Sequence, residues 1–160
     1  MARLPPHWIS HFGDGISTRV AACTPEGRPE ISRALAAQVL ADGRIEILLP
    51  RDVGDRVLAA VRATAQVAVV TAVPLTHRTL HLKGRDAVVT PATPEHEAPL
   101  LRCREAFLAQ ITPLGFSRGQ LMALWYGIEL ADLDCVRFSI SGAWDQTPGP
   151  GAGQPVELIT

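Results

Sequence analysis

From Ile16 to Leu49 the chain offers three strand-like stretches joined by turns, with no helical stretch between them. I-S-T-R-V-A-A-C reads as a strand, T-P-E-G-R-P as a turn and E-I-S-R-A-L-A-A-Q-V-L as a second strand. A-D-G then makes a tight turn into R-I-E-I-L-L. Strands joined by connections this short pair antiparallel, so the stretch is an antiparallel meander. A doubly wound nucleotide fold needs strand–helix alternation throughout, and this pattern excludes it.

The rest of the chain adds strands and a few helices. Pro5 to Phe12 starts like a helix, closed by Gly13 and Gly15. Asp52 is placed to N-cap a helix with Val53, Val57, Leu58 and Val61 on one face. Gln66–Val73 reads as a central strand, and Arg78–Thr90 as a long strand bent at Gly84. Pro94–Ile111 is helical, with Leu100, Leu101, Phe107, Leu108 and Ile111 as its buried stripe. Ser117 and Gln120 form a capping box for a helix through Trp125. Leu133–Ile140 is a last strand. The expected class is mainly β with peripheral helices, an antiparallel barrel of about six strands. Residues 1–160 read as one domain, with an N-terminal helix in 1–15 and a Gly/Pro-rich tail over 142–160.

Fifteen basic and sixteen acidic residues leave a net charge of −1, which argues against nucleic acid as a partner. Fourteen of the fifteen bases are arginine, and Lys83 is the one lysine. The longest uncharged apolar stretch, Ala63–Thr76, contains Pro74 and is too short to span a bilayer, so no membrane association is expected. The N-terminus lacks the apolar region and cleavage site of a secretory signal. Three cysteines, Cys23, Cys103 and Cys135, cannot form a fully paired disulfide framework. A reduced, cytoplasmic protein is the expectation.

H-R-T-L-H-L-K-G, His77–Gly84, is the segment richest in chemistry. As a strand it puts His77, Thr79, His81, Lys83 and Arg85 on one face and Leu80 and Leu82 on the other. The polar face is either solvated or the wall of an anionic cofactor site. Arg33 lies between Ile31 and Leu35 on an apolar strand face, where it needs a paired carboxylate or a phosphate. Arg51 and Arg56 flank a strand-to-helix transition, a geometry that suits phosphate. Trp144 follows the last strand, either packing on the barrel end or covering a planar cofactor. His7 and His11 lack the glutamate of H-E-x-x-H, and His77 and His81 lack a third ligand, so no metal site is expected. G-P-G-A-G is no phosphate loop, and Ser139 and Ser141 lie in no nucleophile elbow.

The ordered segments T-P-E-G-R-P-E-I-S-R, R-I-E-I-L-L-P-R with its short helix, Q-V-A-V-V and H-R-T-L-H-L-K-G-R resemble the FMN-binding split-barrel superfamily. The branch they resemble is the pyridoxamine 5′-phosphate oxidase-like family, and A-W-D-Q-T-P-G-P-G-A-G is similar to its C-terminal segment. The resemblance runs from about Ile16 to Gly153. It implies a split β-barrel homodimer with FMN at the subunit interface and a small-molecule substrate. It implies cofactor contacts from Arg33, Leu48, Leu49, Pro50, Arg51, Arg56, Thr79, Lys83, Trp144 and Gln146. Thr79 falls where the oxidases place a flavin-contacting glutamine, and His81 is the titratable candidate for catalysis. His81 stands where a Q-L-K-G version of the motif has glutamine, and Val61 where asparagine is common. The paired Arg-Lys and the C-terminal R-L-x-P of the true oxidases are absent. A flavin-dependent oxidoreductase follows as the expectation. A non-catalytic binder or sensor of flavin, deazaflavin or heme is the alternative within the same fold.

Overall fold

A computed structural model describes residues 2–125 and 128–159. Helix α1 (Pro6–His11) precedes β1 (Ser17–Cys23), and the Thr24–Gly27 turn leads into β2 (Pro29–Ala34). Next come β3 (Ala36–Val39), β4 (Ile45–Pro50), α2 (Asp55–Thr64), β5 (Val67–Ala72), β6 (Thr79–Gly84) and β7 (Val88–Pro91). A short 3-10 turn leads into α3 (Glu97–Ile111), and α4 (Arg118–Trp125), β8 (Leu133–Phe138), β9 (Gly142–Asp145) and β10 (Gln154–Pro155) complete the order. All pairings are antiparallel: one sheet runs β10-β9-β6-β5-β1-β2 and the other β3-β4-β8-β7. The two sheets enclose a core that includes Val20, Val69, Leu80 and Leu82 from the first and Ile45, Ile47, Leu49, Val136 and Phe138 from the second.

Two strands expected as continuous are each divided between the sheets. The stretch over 30–40 breaks at Leu35, so that β2 pairs with β1 while β3 pairs with β4. Ala34, Leu35 and Ala36 are all buried, which no flat strand with alternating sides permits. The chain turns a corner there, and the Leu35 N–H donates to the Leu48 carbonyl at 2.9 Å. The stretch over 78–90 likewise divides into β6 and β7. Gly84 is needed for a close approach: a Cβ there would lie 2.3 Å from the Phe138 ring.

Smaller corrections follow from packing. Gly54, not Asp52, precedes the first turn of α2, and the Asp52 carboxylate accepts from the Val53 N–H instead. Val53 is 67% exposed and Leu101 40%, so neither joins the stripe expected of it. Leu133–Ile140 is not the last strand, because within the Gly/Pro-rich 142–160 segment β9 pairs with β6 and β10 with β9. The Ser117–Gln120 capping box forms as expected, with reciprocal bonds of 2.9 and 3.2 Å. Among the described residues, no helix is long and apolar enough to cross a membrane.

Helix α1 seals one end of the barrel with Trp8 and His11. His11 is fully buried, and its Nε2 lies 2.9 Å from Thr71 Oγ1. Burial first, and nearby Arg78 second, lower its pKa from 6.5 to about 4. The folded protein therefore holds a neutral imidazole, while the unfolded chain takes up a proton near 6.5. Stability is complete above 6.5 and is lost as the pH falls towards 4, by about 3 kcal/mol in all. Melting temperatures of wild type and His11→Gln, compared over pH 7 to 4, check this: the wild type should lose its advantage across that window, and a constant difference would contradict it.

Candidate functional site

Alternation puts one face of the six-stranded sheet outside the barrel, and register lines up its side chains across five strands. Arg33 on β2 stands opposite Arg19 on β1, Arg19 opposite Val70 on β5, Val70 opposite His81 on β6, and His81 opposite Trp144 on β9. The next row reads Ile31, Ala21, Ala68, Lys83 and Gly142. Ile31 is 70% exposed and Val70 38%. The outward positions of these described strands thus carry two arginines, a lysine and a histidine, with no Asp or Glu among them.

At the β6–β9 end the side chains make one cluster. The Trp144 ring lies 5.4 Å from the His81 ring, tilted by 37°, and Lys83 Nζ stands 5.3 Å from its centroid. Gly142 makes room for that ring, since a Cβ there would fall 2.5 Å from it. Thr79 joins through its backbone: its carbonyl accepts from Gln146 N–H at 2.8 Å and its N–H donates to Thr147 Oγ1 at 3.1 Å. Burial first, then the Lys83 charge, hold the His81 pKa below its usual value. The imidazole is therefore neutral at neutral pH, free to take or share a proton.

No protein-family profile matches the chain, and no curated protein matches it by sequence. Solved structures do match it in three dimensions. HupZ of Group A Streptococcus superposes with a TM-score of 0.57 at 11% identity, covering 94% of this chain and 100% of that one. An F420 reductase gives 0.55 at 14% identity over 88% and 98%. A pyridoxamine 5′-phosphate oxidase-related, FMN-binding protein of Nostoc punctiforme gives 0.50 at 13% identity over 92% and 87%. The fold is the pyridoxamine 5′-phosphate oxidase-like split barrel.

Within this split barrel the expected site residues fall into three groups. Thr79, His81, Lys83, Trp144 and Gln146 come together at the β6–β9 end. Arg33 shares their face but lies three strands from His81, about 14 Å at ordinary strand spacing. Its face is the outward one, not the apolar inner face expected from Leu35 and Ala37, because the corner at Leu35 reverses the sides. Its guanidinium stands over the Phe107 ring at 5.4 Å. The remainder lie off this face. Leu48, Leu49 and Pro50 are buried in the four-stranded sheet. Arg51 donates to Asp134 Oδ1 at 3.0 Å, beside Arg62 on the other oxygen at 2.5 Å. Arg56 is exposed on α2 along a groove with Thr24, Arg28 and Glu30.

Arg19, Val70 and Gly142 escaped the sequence reading. The alternating pattern of β1 and β5 identifies Arg19 and Val70 as outward, but only register shows that they bridge Arg33 to His81. Cys135 is buried in an apolar cluster with Cys103 packed against it, and Cys23 is exposed. Burial and neighbouring Glu46 push the Cys135 thiol up to about 12, and burial also raises Cys103, so neither is a ready nucleophile.

Proposed function

We propose that the outward face of the six-stranded sheet binds FMN within a homodimer of two split barrels, and that the protein is a flavin-dependent oxidoreductase for a small substrate. One observation carries the reading: a single cross-strand row joins Arg33 and Arg19 to Val70, His81 and Trp144, and the outward positions of these described strands carry no Asp or Glu. A phosphate-bearing planar cofactor needs guanidinium groups for its phosphate and a flat, partly apolar surface for its ring. The donor set fits that requirement. Exposed Ile31 and Val70 are surface that a second copy would cover.

A bound flavin supplies the hydride or electron chemistry, and the chain supplies orientation and charge. Arg33 and Arg19 would hold the phosphate. Trp144, kept against the sheet by Gly142, would bound the ring, with Lys83 offering positive charge. His81, neutral, is the group able to hold or release a proton. A second reading, heme ligation, draws on the same His81, since a neutral imidazole is the form that binds a metal.

Absorption and fluorescence titrations of the purified protein with FMN, a deazaflavin and hemin, alongside sedimentation, separate these. Stoichiometric quenching of FMN fluorescence by a dimer is the expected result. A Soret band lost in His81→Ala, with no FMN binding, would replace flavin by heme. Preferential uptake of the deazaflavin would change the cofactor, and binding of none of the three would discard the reading.

A further inference from the structure

The four-stranded sheet has its own outer side, covered by α3, and a second polar cluster is buried there. Glu46 on β4 lies opposite Gln38 on β3 and Arg137 on β8, while Cys135 lies two residues along β8, opposite Thr90. His96, in the turn leading into α3, closes over them. Glu46 is 4% exposed, His96 6% and Cys135 1%. Their ligand-type atoms, a carboxylate oxygen, an imidazole nitrogen and Sγ, all lie within 4.8 Å of one another. We propose that Glu46, His96 and Cys135 form a binding site for a zinc-like divalent cation that pins the start of α3 to the four-stranded sheet.

The chemistry of the set is that of zinc: one thiolate, one imidazole and one carboxylate, leaving a fourth position for water. Together their two negative charges neutralise a divalent ion. Glu46 Oε2 and His96 Nε2 are already 3.5 Å apart, a spacing suited to a tetrahedral ion with bonds of about 2.0–2.3 Å. Sγ lies within 4.8 Å of a ligand atom on each of the other two residues.

The surroundings can serve both the empty and the filled state. Without metal, His96 Nδ1 accepts the Thr93 N–H at 2.9 Å, and Nε2–H faces Glu46. With metal, Nε2 would be the ligand and Nδ1–H would donate to Thr93 Oγ1 at 3.0 Å or the Thr93 carbonyl at 3.2 Å, while the Thr93 N–H, on an exposed residue, gives up Nδ1 and turns to water. An imidazole held by a backbone carbonyl is the usual support for a metal-binding histidine. Glu46 Oε1 keeps Gln38 Nε2 at 2.7 Å, while Oε2 trades its ion pair with Arg137 for the metal. Arg137 is 39% exposed and free to turn towards water. A groove of about 180 Å³ is lined in part by Arg137 and Thr90, the cross-strand neighbours of Glu46 and Cys135. Binding exchanges the thiol proton for the ion, and that proton leaves to solvent.

The test is titration of the chelator-treated full-length protein with cobalt(II), then zinc. The expected result is one equivalent of cobalt per chain, with the near-ultraviolet absorption of a cobalt–thiolate bond. Zinc should displace it and raise the melting temperature. Cys135→Ser and His96→Gln should lose the band, while Cys23→Ser, at an exposed position, and Cys103→Ser, at a half-buried one, should keep it. No cobalt–thiolate band in wild type overturns the site, whatever the variants do. A band that survives Cys135→Ser, or disappears with Cys23→Ser, overturns it equally by assigning the ion to another thiol.

Discussion

Replacing Arg33 by alanine should weaken FMN binding by roughly 10- to 100-fold, the size of one charge-assisted hydrogen bond. The guanidinium sits on the Phe107 ring at 5.4 Å, and loss of that contact costs about 0.5–1 kcal/mol at a partly exposed site. Arg33→Lys keeps the charge but loses the planar fork, so its affinity should fall between the two. Fluorescence titration of FMN against the three proteins, with melting curves alongside, measures both effects. If Arg33→Ala lowers the melting temperature and leaves FMN affinity unchanged, Arg33 is a structural side chain and the cofactor face is wrongly placed. The same pair of measurements on Arg19→Ala tests whether its position opposite Arg33 in the register makes it a second anion contact.

The largest loss of stability is expected at Phe138. It is fully buried at the end of β8, opposite Ile45, and its ring packs on the backbone of Gly84. Phe138→Ala removes an aromatic side chain from the point where the two sheets meet, which should cost about 3–5 kcal/mol. For a chain of this length the melting temperature should fall by about 10 °C. Gly84→Ala approaches the same contact from the other side: its new Cβ would stand 2.3 Å from the ring, an overpacking that costs about 1–3 kcal/mol. The two substitutions should not add. In the Phe138→Ala background the methyl has space, so Gly84→Ala should be nearly neutral or restore some stability. Thermal unfolding of the four proteins decides it; equal costs for Gly84→Ala in both backgrounds would show that glycine is needed there for another reason.

Much of this architecture is legible in local pattern. Short turns at Thr24–Gly27 and Asp42–Gly43 impose antiparallel neighbours, and period-two alternation in T-L-H-L-K-G separates Leu80 and Leu82 from His81 and Lys83. Both depend on residues close in sequence, which is why they survive into the structure. The strand corner at Leu35 is different. Every residue from Ala34 to Ala37 is apolar, so nothing local marks where inside becomes outside, and alternation carried through this run puts Arg33 on the wrong face. Leu48 and Leu49 show the same limit: a run of apolar residues says that a strand is buried but not which layer each side chain enters.

The cofactor face and the proposed metal site both depend on distance in sequence. Arg33, Arg19, Val70, His81 and Trp144 are brought into one row by hydrogen-bond register across five strands. Glu46, His96 and Cys135 come from two strands and a turn with no shared spacing. By itself the sequence determined the antiparallel class, the polar face of the His77–Gly84 segment and the likeness to split barrels, because periodicity and turn chemistry are local. Tertiary structure alone decided which side of β2 Arg33 occupies, that Arg51 is held by Asp134, and which distant groups meet. Those outcomes follow from sheet register and from the closing of the barrel, which no single segment encodes.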